Sequence, residues 1–272
     1  MEYNVQNYLP MDRRVDGKSL KNAPKPESEI AALVGVIAQV KPDVLGLCEM
    51  GGKDQVADLQ TRLRAAGVDL PHTEWVQGAD EDRHVVLLSR FPITARNSVG
   101  NIPITINGRP EGMQRGILDA TVKISDQLDL RLLGVHLKSR RIVPEFDQKE
   151  LRALEARELR KYIDAILQKN PETRLLVYGD LNDTKNEPPV KEVWGKKSSP
   201  LALHLIDFKD GRGEAWTHFW KVADEYSRID YMFASSALLP LVLADKSHIA
   251  ESPNLMDASH HGPLVLKLEV PE

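Results

Sequence analysis

Several apolar runs in this chain end or begin in residues that could ligate a metal or move a proton. Val44–Leu47 leads to Glu49, Leu132–Val135 to His136-Leu137-Lys138-Ser139, and Leu175–Tyr178 to Gly179-Asp180-Leu181-Asn182-Asp183. Arg228-Ile229-Asp230-Tyr231 opens a further strand-like piece, and Ser259-His260-His261-Gly262-Pro263 precedes the last one. Strand ends from one face of a sandwich can bring such groups over one opening. The chemistry then available is that of a hard divalent cation, which takes several oxygen ligands and makes neighbouring carboxylates tolerable. No serine or cysteine sits in a nucleophile motif, which supports attack by water rather than by the protein.

The elements that must position these groups follow from the hydrophobic period. Ile30, Leu33, Val34, Ile37 and Val40 predict a helix over 29–40, broken by Pro42, and Asp43–Glu49 reads as a buried strand. A second helix is expected over 54–66, stopped by Gly67, with strands at His84–Ser89, Ile93–Asn97, Ile117–Ile124 and Leu130–Leu137. The longest helix should span 147–169 with Asp147 as its N-cap. Arg174–Tyr178 is a buried strand, and 185–200 reads as a surface loop around a short helix. Strands are then expected at Ala215–Phe219, Arg228–Ala234, Leu239–Ala244 and Leu264–Val270. Strands in runs, with helices between some of them, suggest sheets packed face to face with helices outside. No linker is long enough to separate two domains, so residues 1–272 are expected to form one.

Composition removes several classes. With 36 Lys and Arg against 40 Asp and Glu, the net charge is -4, so no global basic field draws the chain onto nucleic acid or an anionic membrane. A phosphate substrate stays open, because a bound metal and a few local cations reverse the sign within a cleft. The one cysteine, Cys48, rules out an intramolecular disulfide and a cysteine-rich zinc site, and its strand position makes it a core residue. The longest apolar runs, Ala31–Val40 and Leu238–Ala244, fall short of the roughly 18 residues of a membrane span. The compartment stays open between cytoplasm and export with a leader removed.

Taken in order, the polar blocks resemble those of the endonuclease/exonuclease/phosphatase superfamily, the DNase I-like metal-dependent phosphoesterases. The matching blocks are Tyr3–Tyr8, Pro42–Glu49, His136–Ser139, Gly179–Asn182, Ser227–Tyr231 and Ser259–Pro263, spread from the first residues to the last ten or so. Each alone is weak; six in order are specific. The resemblance implies a four-layer α/β/β/α sandwich of two mixed sheets with outer helices. It implies Glu49 as metal-binding carboxylate with Asn4 beside it, and Asp180 and Asn182 as the pair that places water, metal and scissile phosphate. It implies His261 at the phosphate, Asp230 as its orienting carboxylate, and His136 as acid for the leaving oxygen. The expected cofactor is Mg²⁺ or Mn²⁺, and the expected partner a phosphoester, nucleic acid included, acted on by a monomer.

One position departs from the family pattern. His260 stands where Asp is usual before the final histidine. As a metal ligand, an imidazole would favour Mn²⁺ or Zn²⁺ over Mg²⁺; turned away, it would leave Glu49 to hold the metal. Arg115, Lys138 and Asn7 are candidate substrate contacts, with solvated surface positions as the alternative for both cations. Trp216 and Trp220 share a parity and could pack inside, or form a rim that stacks on a substrate group. The first functional reading is a phosphodiesterase, specifically a nuclease. The alternatives are a phosphatase or phosphodiesterase for a small phosphate or lipid headgroup, and a non-catalytic binding module that kept the fold. Substrate choice is expected in loops 8–28, 98–114, 139–147 and 183–200.

Overall fold

Alternation along the buried strands decides how the layers stack. In the computed structural model, which describes every residue but Asp16, Val143, Glu145 and Glu272, the chain opens with β1 (Glu2–Tyr8). A hairpin of β2 (Met11–Val15) and β3 (Lys18–Ala23) follows, then α1 (Glu27–Val40), β4 (Val44–Met50), α2 (Lys53–Ala65), β5 (His72–Val76), β6 (His84–Ser89) and β7 (Ile93–Arg96). A second hairpin, β8 (Pro103–Ile106) and β9 (Arg109–Gly112), leads to β10 (Leu118–Ser125), β11 (Leu128–His136), α3 (Gln148–Lys169) and β12 (Leu175–Asp180). The last part holds α4 (Pro188–Trp194), β13 (His204–Leu205), the hairpin β14 (His218–Trp220) and β15 (Glu225–Ser227), β16 (Asp230–Ala234), β17 (His248–Ile249), α5 (Leu255–Ala258) and β18 (Leu264–Val265).

Two six-stranded mixed sheets result, ordered β17-β18-β1-β4-β6-β5 and β13-β16-β12-β11-β10-β7. Leu45 and Leu47 point outward to α1 and α2, packing with Leu33, Ile37, Leu59 and Leu63. Leu133, Val135 and Val177 point outward to α3, meeting Leu151, Leu159 and Ile163. The alternate residues Val85, Leu87, Leu132, Leu176 and Tyr178 fill the space between the sheets. This is the α/β/β/α sandwich. Asp147 caps α3 by accepting from the Lys149 and Glu150 amides at 2.7 and 3.3 Å, which satisfies donors the first turn leaves open.

Tyr178 sets the spacing between the sheets. Its ring lies over Gly46 of β4, where an added Cβ would collide with ring atoms, and its hydroxyl would be 2.6 Å from a Cβ on Gly134 of β11. Both glycines are needed as the ring's slot.

The sequence expectations fail in several places. Leu239–Ala244 is not a strand but two 3₁₀ turns, Leu239–Leu241 and Ala244–Lys246, because Pro240 lacks the N–H that a ladder needs. The strand expected over Leu264–Val270 is regular only at Leu264–Val265, with a single later bridge from Leu268 to Val242. Loops 8–28 and 98–114 each carry a hairpin. Val143 and Glu145 of loop 139–147 lie outside the described residues.

Gly46→Ala is expected to destabilise the chain by about 1–3 kcal/mol, the usual range for overpacking, in a denaturant titration. Pairing it with Tyr178→Leu should recover part of that loss; a loss that is merely additive would show the ring is not the obstacle.

Candidate active site

The strand ends of both sheets converge at one end of the sandwich, and backbone strain concentrates there. Of the eight non-glycine residues with positive φ among the described residues, four belong to these ends: Gln6 (49°), Asn7 (57°), Glu49 (64°) and Asn182 (52°). The left-handed region is unfavourable for such side chains, and each instance costs on the order of 1–3 kcal/mol. The strain re-aims side chains. Cys48 points inward, its thiol 3.4 Å from the Val135 carbonyl, so regular alternation would send Glu49 outward. The register of β4 instead shifts against both neighbours near Glu49, and its carboxylate turns to the mouth between the sheets. There Oε2 accepts from the Asn7 backbone N–H at 2.9 Å, and Oε1 from the Asn4 carboxamide at 3.3 Å.

Asn4 spans the two sheets. Its Nδ2 also donates to Asp180 Oδ2 at 3.0 Å, so one carboxamide bridges a carboxylate from each sheet. Asp180 Oδ1 accepts from the Asn182 backbone N–H at 2.8 Å, while the Asn182 side chain donates to Leu137 O at 3.0 Å. Directly across the ladder from Asp180 is Asp230, whose carboxylate takes His261 Nδ1 at 2.9 and 3.2 Å. Burial, and then Asp230, push Asp180 above the usual carboxylate range. Burial alone would lower the His261 pKa, but Asp230, with Asp180 and Glu49, outweighs it and raises the value to about 9.

His136 lies on the third side. It is 1% exposed, and its Nε2 stands 3.7 Å from Asp180 Oδ2 and 3.9 Å from Glu49 Oε1. Neither ring nitrogen has a hydrogen-bond partner. Burial, then the Arg115 charge, push its pKa well below the ordinary value, so the imidazole is neutral. A neutral imidazole suits a hydrogen-bonding role better than that of the proton source expected from sequence. Arg115 is not solvated: it is 4% exposed and paired with Asp80 at 3.0 Å, with Nε and Nη1 buried and unpartnered. Lys138 is buried too, its ammonium 5.7 Å from the Phe146 ring centroid. Asn7 serves through its backbone N–H, and its side-chain oxygen accepts from Arg83 at 2.9 Å.

His260 is not brought to this cluster. Its backbone N–H donates to Gln6 Oε1 at 2.8 Å, and its Nδ1 faces Gln6 Nε2 at 3.3 Å. Its ring lines a separate recess with Glu29, Lys221 and Asp257. The Gln6 side chain fixes it there. Trp216 and Trp220 do not pack inside either: Trp220 is 52% exposed, and Trp216 meets the Tyr226 ring edge-on at the surface.

Supporting residues that the sequence motifs do not single out complete the site. Thr217 Oγ1 accepts the backbone N–H groups of Ile229 and Asp230, both at 3.1 Å. Ser259 Oγ donates to Asn4 O at 2.7 Å and accepts the His261 N–H at 3.1 Å. Glu155 of α3 accepts the backbone N–H groups of Gln114 and Lys138, at 2.8 and 2.6 Å, and so holds the segments carrying Arg115 and His136. His218 meets the His261 ring at a tilt of 49°, ring centroids 4.6 Å apart. Glu2 lies buried beneath, its carboxylate unpartnered, and burial followed by Asp230 and Asp180 favours its protonated form. Only Ser259 and Glu2's neighbour Tyr3 lie within recognisable blocks; the others are joined to the site by tertiary contacts that no spacing announces.

The residues present fit a divalent cation. Glu49 and Asp180 offer hard oxygens from opposite sheets, and the unpartnered His136 nitrogen faces both. The ligand atoms of Asp180, Asp230 and His261 also lie within 4.8 Å of one another. His261 Nδ1 is already engaged by Asp230, and Asn4 turns its Nδ2 donor to both carboxylates while its Oδ1 accepts the Gln6 N–H, so Glu49 and Asp180 make the better cation side and Asn4, expected there from sequence, presents no free oxygen.

A family model described as "Endonuclease/Exonuclease/phosphatase family" matches residues 1–247. The chain belongs to that family. Its members are generally phosphoesterases that use divalent metals. The matched span ends before Ser259–Pro263. Among solved structures, the human Nocturnin catalytic domain shares 17% identity at TM-score 0.64, over 98% of this chain and 92% of that one. Truncated TDP2 from Caenorhabditis elegans shares 18% at 0.59, over 89% and 90%. Sphingomyelinase C from Streptomyces griseocarneus shares 14% at 0.60, over 89% and 93%. These likenesses show the DNase I-like fold. No curated protein matches the sequence. Among the described residues, no helix is long and apolar enough to cross a membrane.

Thr217→Val keeps the shape but strips the acceptor from two buried amides, and should destabilise the chain by about 1–3 kcal/mol in a denaturant titration. Thr217→Ser should restore most of it, and an equal loss in both variants would mean the methyl, not the hydroxyl, matters.

Proposed function

We propose that the chain is a divalent-metal-dependent phosphodiester hydrolase acting on nucleic acid, with the whole of residues 1–272 folding as one domain. The observation that carries this reading is the meeting of Glu49, Asp180 and the Asp230–His261 pair around the unpartnered His136. Glu49 and Asp180 would hold the cation, with the Asn4 carboxamide beside them. When bound, it polarises the phosphoryl oxygens and offsets charge that develops on them.

The remaining work belongs to side chains. Asp180 orients the attacking water and takes its proton as the new O–P bond forms; burial raises its basicity for that task. Asp230 holds Nδ1–H of His261, leaving Nε2–H to donate to a non-bridging oxygen, as the third member of a triad fixes its histidine. The neutral His136 hydrogen-bonds the departing oxygen as the ester P–O bond breaks. Arg115, with two buried unpartnered donor atoms, and Lys138 stabilise the charge gathering on the phosphoryl group. No protein nucleophile is required. His260 takes no part in the metal site on this reading, because Gln6 directs it elsewhere.

The test is hydrolysis of bis(p-nitrophenyl) phosphate and p-nitrophenyl phosphate by metal-stripped protein, with Mg²⁺, Mn²⁺, Zn²⁺ or Ca²⁺ added back. Diester cleavage should return with Mg²⁺ or Mn²⁺ and fall by about 10²–10³ in His261→Ala, the usual cost of losing one donor to transition-state charge. Monoester cleavage that exceeds diester cleavage would replace this reading with a phosphatase. Silence on both with every metal would leave a binding module.

A further inference from the structure

A groove of ≈ 910 Å³ runs along α4 and the turn that follows it. Lys185, Lys191, Lys196 and Lys197 edge it, all exposed, and half-buried Trp194 lies among them. The ammonium groups of Lys185 and Lys197 stand 5.7 and 5.4 Å from the Trp194 ring centroid. The walls are fixed from below. Arg160, 7% exposed, donates to Val193 O at 3.0 Å, Leu201 O at 3.2 Å and the Asp164 carboxylate at 2.7 Å, stapling the helix end to the segment after it. Gly195, at φ 83°, turns the chain over that guanidinium, where a Cβ would come within 2.9 Å of Nη1.

The charge of this groove is opposite to that of the chain. Five basic residues line it against two acidic ones, Asp164 and Glu192, whereas the chain as a whole carries -4. Among the described residues Lys191, Lys196 and Lys197 enter no ion pair, and Lys185 approaches Asp207 only at 4.0 Å. The groove also begins beside the catalytic opening. Lys185 is three residues beyond Asn182, a chain length of at most about 11 Å. Arg140, which bonds Asn182 O and Asp183, is exposed next to the same loop.

We propose that this groove carries the backbone of a single-stranded nucleic acid as it leaves the active site. The lysines neutralise its phosphates, and Trp194, packed against the core below, carries Lys185 and Lys197 over its ring. The proposal rests on the nuclease reading and extends it, since it places the polymer on one side of the mouth. A positively charged groove that tracks the backbone is the electrostatic part of sequence-tolerant single-strand binding. An anionic lipid surface would be better served by apolar side chains that project beside the cations. Here the exposed Trp220, Val222 and Tyr226 belong to the β14–β15 hairpin and not to the groove.

The experiment uses a fluorescein-labelled single-stranded DNA of about 20 nucleotides, long enough to exceed a typical single-strand site. Its binding to His261→Ala protein, which should not cleave it, is measured by anisotropy over a range of salt. The same protein carrying Lys191→Glu, Lys196→Glu and Lys197→Glu is compared. The triple substitution should weaken binding at least about tenfold at low salt. It should also flatten the slope of log K against log salt by about 2, at roughly 0.7 for each phosphate no longer neutralised. Turnover of bis(p-nitrophenyl) phosphate by protein with an intact His261 should be unchanged by the three substitutions. Equal affinity and slope with and without them would overturn the proposal, even with diester hydrolysis intact. So would phosphatidylserine vesicles losing binding on substitution while the oligonucleotide does not. Failure of diester hydrolysis would instead sink the enzymatic reading, and the binding comparison does not depend on it.

Discussion

Like charges held close together in a poorly solvated mouth are what this structure is organised around. Glu49 comes from one sheet, and Asp180 and Asp230 from the other, with Glu2 beneath. Coulomb repulsion between carboxylates is much stronger there than in water. The chain tempers it with three devices: the bridging Asn4 carboxamide, the imidazolium of His261 on Asp230, and a protonated Glu2. None of them neutralises Glu49 and Asp180 together. A divalent ion would, so metal affinity follows from electrostatic strain in the fold itself as much as from ligand geometry.

The same constraint explains why backbone strain and unpartnered donors gather at this end. Glu49 reaches the mouth only through a left-handed residue in a bulged strand, and Gln6 and Asn7 complete the bulge on β1. Arg115 and His136 keep buried nitrogens without partners, an unfavourable state for polar groups out of contact with water. Such a site keeps its shape only if its surroundings are rigid. Helix α3 supplies that rigidity with two residues three apart. Glu155 holds the Gln114 and Lys138 amides, and Arg152 holds Lys138 O and the Asp183 carboxylate.

Much of this is legible in the residues. Asp147 caps its helix, Cys48 lies in the core, and the blocks around Glu49, His136, Asp180, Asp230 and His261 mark strand ends that do converge. What escapes has a physical reason in each case. The 239–246 segment is as apolar as a strand, but Pro240 removes a ladder donor. His260 sits in a block that points to the metal, yet the Gln6 bulge, invisible to a period-2 reading, decides where it goes. Thr217, Glu155 and Gln6 act through side-chain-to-backbone bonds across 11 or more positions, or across most of the chain, and composition carries no trace of them. The aromatic run 216–220 reads as a strand with an inner face, but most of it is a surface hairpin in which Phe219 stacks on Tyr226, while Trp216 meets the same ring edge-on.

Tyr178, Gly46 and Gly134 form a layer directly beneath Asp180, Cys48 and His136 on the same three strands. With the ring filling the slot, the sheets can neither close further nor shear past one another at that level. Glu49 and Asp180 face each other across this gap, so the ring is a gauge block for the aperture between them. The separation of the two carboxylates is then set partly by an aromatic thickness one layer down, in residues that touch neither of them.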